Sequence, residues 1–305
     1  MRRRPGQTLV ELLIALVLLA ILGGAVTRLM VWQSRFFDQQ AQGRAARSAA
    51  RSGMNLLLSE LRMLDASGLS SSDTVSVSDV QTDRITVRVP FAFGIVCSNT
   101  GAGGSIRIAV LPVDSLLWAT TAIDAGNGGF SGYAWRDNGA SAAYHFVDGL
   151  VPANITDNSA AALGDCGVAT IGIAANGRFV DIQPGATTGG GLRTPRVGTP
   201  IYLYQMVRYS FSASAVIPGT LALWRTVMRT GTAEEVAAPF AATAQFKWFV
   251  KTNSGAPTTA VPDTLANIRG FELMLPGMSE RVAEGASTQA TAAVSTSVYF
   301  KNRID

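Results

Sequence analysis

Histidine, cysteine and lysine are scarce in this sequence of 305 residues. There is one histidine, His145, and there are two cysteines, Cys97 and Cys166. A metal site built from imidazoles and thiolates needs three or four such ligands, so the composition argues against one. Neither a GxSxG elbow nor a GxxxxGK[ST] phosphate loop is present. We therefore expect no metal, no cofactor, no small-molecule substrate and no enzymatic activity, and we interpret His145 as a structural or surface residue.

An excess of charge of one sign is also missing once the first residues are set aside. The formal net charge is +4, and three of the basic residues are Arg2, Arg3 and Arg4. Without residues 1–6 the chain has 22 basic and 21 acidic side chains, a net charge of +1. This balance gives no electrostatic argument for binding nucleic acid. The two cysteines are either a disulfide pair in an oxidising compartment or two separate buried thiols.

The long apolar segment lies near the N-terminus. Residues 12–26 are uncharged and apolar, and with residues 27–32 the segment approaches the 20 residues that span a bilayer. The preceding arginines predict a cytoplasmic N-terminus. A secretory signal peptide or a simple membrane anchor has the same features. Glu11 at the start of the segment is not expected in a signal peptide, because a carboxylate at the edge of a span is costly and usually has a partner.

The order Gly6, Gln7, Thr8, Leu9, Val10 and Glu11 after a basic leader resembles the type IV prepilin family, which includes the pseudopilins of type II secretion. The resemblance implies cleavage after Gly6 by an inner-membrane prepilin peptidase and N-methylation of Gln7, where phenylalanine is usual. It also implies that Glu11 pairs with the amino terminus of a neighbouring subunit in a filament. The implied location is the bacterial inner membrane, with one span and the globular part outside the cytoplasm, and then the pilus or pseudopilus.

No proline occurs between Pro5 and Pro90, so one helix from about residue 8 to residue 65 is predicted. Its second half carries an apolar stripe at helical spacing: Met54, Leu57, Leu58, Leu61 and Leu64. Arg44, Arg47 and Arg51 lie on another face, which we interpret as solvated. The predicted divisions are a leader at 1–6, a transmembrane helix at 7–32, its periplasmic extension at 33–66 and a β-rich globular domain at 67–305. Within that domain, residues of about 112–200 are predicted to be an irregular insertion.

Alternating apolar and polar residues after position 74 predict strands. The predicted strands are 84–89, 105–111, 168–173, 179–182, 201–211, 221–229, 245–251, 268–275 and 294–300. A long helix followed by antiparallel strands predicts an α+β fold, with the helix as a spine against a sheet. The order of strands from about residue 200 to residue 303 is similar to the C-terminal half of PilW-type minor pilins and of the J-type pseudopilin.

The function that the resemblance implies is that of a structural minor pilin or pseudopilin, which primes or caps assembly of a type IV pilus or a type II secretion pseudopilus. The implied partners are the prepilin peptidase, other minor and major pilins or pseudopilins through the N-terminal helix, and the inner-membrane assembly platform. Two alternatives stay open from the sequence. One is a DNA-binding minor pilin of a DNA-uptake pilus, and the other is an exported, membrane-anchored enzyme.

Overall fold

The fold is taken from a computed structural model of the chain. It describes residues 9–62, 64, 77–99, 105–110, 131–136, 144–148, 155–157, 178–183, 195–251 and 255–300. These residues form one long helix and a large antiparallel sheet, so the α+β prediction is confirmed.

The helix α1 extends over Leu9–Leu61 and has 53 residues, which gives a rod about 80 Å long. Its sequence is rich in alanine and leucine and lacks proline, so nothing interrupts the ladder of backbone hydrogen bonds. The predicted helix extended to residue 65, whereas α1 ends at Leu61. Its last turn tightens there, because the Leu64 amide donates to the carbonyl of Leu61 at 3.3 Å.

Thirteen strands and one short 3₁₀-helix, Leu265–Asn267, follow α1 among the described residues. The strands are β1 (Val77–Gln81), β2 (Arg84–Asn99), β3 (Ile106–Val110), β4 (Gly132–Arg136), β5 (Tyr144–Asp148), β6 (Ile155–Asp157), β7 (Arg178–Ile182), β8 (Pro200–Ala213), β9 (Leu221–Val227), β10 (Thr232–Phe240), β11 (Gln245–Val250), β12 (Ile268–Val282) and β13 (Gln289–Tyr299).

All the described strand pairs are antiparallel and belong to one sheet with the main order β11-β12-β10-β9-β8-β2-β3-β7-β6. β13 pairs with β12, β1 pairs with β2, and β4 pairs with both β5 and β8. The long strands β2 and β8 lie side by side over almost their whole length. They therefore connect the end of the sheet that the helix covers to the end that β3, β4 and β7 extend.

The larger core lies between the second half of α1 and the sheet. Seven buried residues of α1 recur every three or four positions and contact β10, β12 and β13: Gln42, Ala46, Ala50, Gly53, Met54, Leu57 and Leu61. Opposite them lie buried aromatic side chains of the sheet, among them Phe240, Phe246, Trp248 and Phe271. Of the predicted stripe, Met54, Leu57, Leu61 and Leu64 are buried and Leu58 is partly buried.

The helix approaches the sheet most closely at Gly277 of β12. A Cβ atom added there would lie 2.1 Å from the backbone oxygen of Ala46 and 2.8 Å from the backbone nitrogen of Ala50. Side chains of any size at this position would push α1 off the strand. The small residues on both elements therefore set the distance between helix and sheet.

A second cluster of buried residues lies at the other end of β2 and β8. It contains Val96 of β2 and Leu203 of β8, together with Ile108, Tyr133 and Val180 from the neighbouring strands. Arg107 on β3 and Asp181 on β7 form a two-pronged ion pair beside it, at 2.6 and 2.9 Å. The described part of region 112–200, which was predicted to be an irregular insertion, contains the strands β4, β5, β6 and β7, and these extend the same sheet.

Most predicted strands occur in the structure with shifted ends. β2 continues through Pro90, where the register with β8 shifts between Pro90 and Ala92, and β12 continues through Pro276 to Val282. Five strands were not predicted: β1, β4, β5, β6 and β10. The strand predicted at 168–173 lies outside the described residues, and that at 179–182 is confirmed as β7.

Candidate assembly interface on the N-terminal helix

The first half of α1 projects beyond the sheet. α1 is the one helix among the described residues with the length and composition to cross a membrane, and none of its apolar 18-residue window is buried. Leu9, Leu19 and Met30 are between 65 and 83 % exposed. Within this segment the Thr27 hydroxyl donates to the carbonyl of Gly23 at 2.8 Å, so this polar group is satisfied within the helix. An apolar surface of this extent needs lipid or other helices around it.

Glu11 lies in the first turn of α1 and is exposed. A carboxylate at this end of a helix interacts favourably with the positive end of the helix dipole. Gly6 and Gln7, the predicted cleavage and methylation positions, lie outside the described residues. Glu11 thus lies at the N-terminal end of the apolar segment, and its role and its pairing with another subunit stay predictions.

Aromatic and basic side chains mark the other end of the apolar segment. The rings of Trp32 and Phe36 stack with their centroids 6.3 Å apart, and Phe37 meets Phe36 edge to face. Arg28 and Arg35 lie on the same turns. Aromatic rings and arginines with long apolar stems are enriched where a span leaves the hydrocarbon. The band lies at the C-terminal end of the apolar segment, and the end of the span at residue 32 stays a prediction.

The tip of the β12–β13 hairpin holds α1 at the end of this band, at Asp38. The Asp38 carboxylate accepts hydrogen bonds from the Arg281 guanidinium, at 2.5 and 3.3 Å, and from the Glu284 amide, at 2.7 Å. The Glu284 amide, and next the Arg281 side chain, hold the pKa of Asp38 below its ordinary value. The Glu284 carboxylate in turn lies 3.7 Å from Arg35. These contacts fix the point at which α1 leaves the sheet.

A buried ionic cluster holds the other end of α1. Glu60 accepts hydrogen bonds from the Tyr209 hydroxyl on β8 and from the Arg225 guanidinium on β9, the latter at 3.0 Å. Burial and the Glu60 carboxylate raise the pKa of Tyr209. Burial lowers the pKa of Arg225, but Glu60 and Tyr209 more than offset this, so its pKa is raised. The Glu60 carboxylate and the Arg225 guanidinium neutralise each other, and together with the Tyr209 hydroxyl they join α1 to two strands of the sheet.

Residues 1–27 match the prokaryotic N-terminal methylation motif, the type IV prepilin-like signal. No curated protein and no solved structure matches the chain.

The methylation motif supports a pilin-like or pseudopilin-like exported subunit. It implies processing by a prepilin peptidase and interaction with other pilins, and together with the exposed half of α1 it fits a membrane-anchored pilin. The motif suggests a structural pilin subunit, a kind of protein that is typically non-enzymatic, and the absence of enzymatic activity stays a prediction.

The other residues singled out in the sequence lie apart from the prepilin segment. His145 on β5 is half-buried, and its ring lies 5.1 Å from that of Trp135. Cys97 on β2 has a free thiol whose Sγ lies 3.7 Å from the carbonyl oxygen of Ile95. Its suggested partner, Cys166, lies outside the described residues, so the disulfide stays a prediction.

Sequence reasoning missed the contacts that fix α1 on the sheet. Glu60 is 149 residues from Tyr209 and 165 from Arg225, and Asp38 is 243 residues from Arg281. Such pairs become visible only when the order of strands is known. The signal that the sequence did contain is that Glu60 borders the apolar stripe, one residue before Leu61.

Proposed function

We propose that this protein is a minor pilin or pseudopilin that primes or caps the assembly of a type IV pilus or a type II secretion pseudopilus. The observation that carries the proposal is that the prepilin motif leads directly into a helix half with no buried side chain. That half is surrounded by lipid before assembly and by the helices of neighbouring subunits after it.

The chain spans the inner membrane once in this proposal. Arg2, Arg3 and Arg4 stay in the cytoplasm, and the sheet lies on the other side. The prepilin peptidase cleaves after Gly6 and Gln7 is methylated. The inner-membrane assembly platform then receives the processed subunit together with other pilins.

Glu11 sets the register between subunits by pairing with the amino terminus of a neighbour. Both charges are costly in an apolar surrounding, and pairing them offsets much of that cost. The strands β8 to β13, which follow the order noted for PilW-type minor pilins and the J-type pseudopilin, form the part of the body against which α1 packs.

Cleavage is tested by the intact mass and N-terminal sequence of the membrane-purified protein, from cells with and without a prepilin peptidase. We expect a chain that begins at Gln7 and carries one added methyl group only when the peptidase is present. A chain that begins near Ala25, independent of the peptidase, would show a secretory signal peptide and overturn the proposal.

Assembly is tested by Glu11→Ala. We expect normal processing and membrane insertion but loss of the subunit from sheared pili or pseudopili, because the neighbour's amino terminus has no counter-charge. Glu280→Ala, which removes an exposed carboxylate of the body, is the matched control and should incorporate normally. Normal incorporation of the Glu11 variant would contradict the assigned role.

A further inference from the structure

Three arginines form a row on an exposed flank of α1, beside the face that packs on the sheet. The arginine row consists of Arg44, Arg47 and Arg51, all exposed, and lies about 110° around the helix from the buried stripe. With Ser48, Ser52 and Asn55 it lines an open groove of about 510 Å³. Within the described part of the chain, no carboxylate lies within 4.0 Å of any of the three guanidinium groups. The groove therefore presents hydrogen-bond donors and positive charge to an anionic partner.

The arginine row lies too far from the membrane to bind lipid headgroups. At 1.5 Å per residue, Arg44 is about 18 Å and Arg51 about 28 Å beyond Trp32. The headgroup layer extends only about 5–8 Å beyond the hydrocarbon core. Arg28 and Arg35 are the basic side chains of α1 at headgroup height, so the arginine row faces another macromolecule.

The same face of α1 continues towards the membrane as an apolar seam. Met30, Phe37, Arg44 and Arg51 are spaced seven residues apart, and Met30 and Phe37 are 65 and 67 % exposed. Residues at this spacing form the contact line between two helices that pack side by side. A nucleic acid could meet only the basic part of this line, whereas a helix could follow all of it.

A second copy of this chain does not fit the arginine row. α1 carries three carboxylates in its described residues: Glu11 at the membrane edge, Asp38 and Glu60. Asp38 is engaged by Arg281 and Glu284, and Glu60 by Tyr209 and Arg225. Two copies packed along this seam would oppose arginines with arginines, which is repulsive.

We infer that the arginine row binds an acidic helix face of a different pilin-like subunit. The inference rests on the proposed function and specifies the partner: a neighbour whose helix carries Asp or Glu about 18–28 Å beyond its own membrane edge. Charge complementarity then favours the mixed pair of subunits over pairs of this chain.

The test is photo-crosslinking in intact membranes from position 48, where a photoreactive amino acid replaces Ser48 within the arginine row. We expect a crosslink to another subunit with a prepilin motif, mapped by mass spectrometry to within one helical turn of an Asp or Glu. The triple variant Arg44→Glu, Arg47→Glu, Arg51→Glu should lower the crosslink yield about tenfold. The triple Arg→Lys variant keeps the positive charge and is the matched control, so its crosslink yield should stay high. Exchanging the partner's acidic residues for arginine should restore the crosslink to the charge-reversed variant.

Each other outcome of this test overturns the inference. A crosslink to a second copy of this chain would mean that the seam packs on itself. A crosslink that is lost on nuclease treatment would show that the arginine row binds nucleic acid. An unchanged crosslink yield in the charge-reversed variant would show that charge does not contribute to recognition of the partner.

A second crosslinking position separates this inference from the proposed function. A photoreactive residue in place of Leu16 lies in the membrane half, far from the arginine row. Crosslinks to pilins from position 16 but not from position 48 would overturn only the arginine-row inference. Absence of pilin crosslinks from both positions would overturn the proposed function as well.

Discussion

The two halves of α1 share one continuous helix and differ in what their side chains contact. No residue between 9 and 41 is buried, and only Asp38 is half-buried, whereas residues 42–61 bury one side chain every three or four positions. Residues 12–26 of the first half are apolar around the whole circumference of the helix, whereas the second half is apolar on one stripe. The second half is covered by the chain's own sheet, whereas residues 12–26 can be covered only by molecules outside the chain.

The largest loss of stability is expected from Gly277→Ala, which would separate the second half of α1 from the sheet. The added Cβ would meet the backbone oxygen of Ala46 at 2.1 Å, so α1 would have to leave its position on β12. We expect the free energy of unfolding to fall by about 4 kcal/mol or more, measured by thermal unfolding of the full chain in detergent. Gly43→Ala is the control: open space surrounds that position, and alanine should stabilise the helix by up to about 1 kcal/mol. Equal stability of the two variants would contradict the close approach.

A matched pair of leucines compares the halves directly. Leu57 is fully buried and Leu16 is 61 % exposed. Leu57→Ala should cost about 3 kcal/mol through lost burial and the cavity it leaves, whereas Leu16→Ala should change the unfolding of the body by less than about 0.5 kcal/mol. The same unfolding measurement checks both. Similar losses from both changes would show that the first half also packs within the chain.

Glu60→Ala tests the anchor at the end of the second half. It leaves the Tyr209 hydroxyl and the Arg225 guanidinium without their shared acceptor in a largely buried site. We expect a loss of about 2 kcal/mol, since the pair is partly accessible to water. Glu60→Gln, which keeps an acceptor oxygen, should lose less. If alanine and glutamine behave alike, the carboxylate itself is not the anchor.

The smallest effect is expected at Asp38, where the two halves meet. Its pKa is lower in the folded chain than its ordinary value, so its ion pair stabilises the fold above about pH 4 and is lost as the pH falls through the lowered pKa. Asp38→Asn should therefore lower the Tm slightly at pH 7 and leave it unchanged near pH 2. A pH-independent difference between the two proteins would contradict this assignment.

The helix and its buried stripe could be predicted from the sequence, because the period of 3.6 residues is a local signal that packing follows. The strand ends could not. The strands predicted at 84–89 and 268–275 stop at the residue before Pro90 and Pro276, yet the sheet continues through both prolines, at Pro90 with a shift in register. β10 was missed because its alanines and Glu234 and Glu235 show no clear alternation, and its position is fixed by pairing with β9.

The residues of the candidate site also divide into those that could be predicted from the sequence and those that could not. Glu11 and the leader were found from a linear motif. The Asp38 and Glu60 anchors depend on residues more than 140 positions away, which only the order of strands brings together. The spacing of the arginine row is readable in the sequence, and its lack of an internal carboxylate partner among the described residues needed the structure.

The position of the strands that cover α1 has a consequence for biogenesis. The buried stripe around Leu57 packs against residues such as Phe271, which follow it by more than 200 positions. At a synthesis rate of about 5–20 residues per second, roughly 10–40 s separate the two on the ribosome. During this interval the buried stripe of α1 has no strand to cover it. A chaperone or protease would therefore meet this stripe first, and variants that weaken it should be degraded before they are seen to assemble poorly.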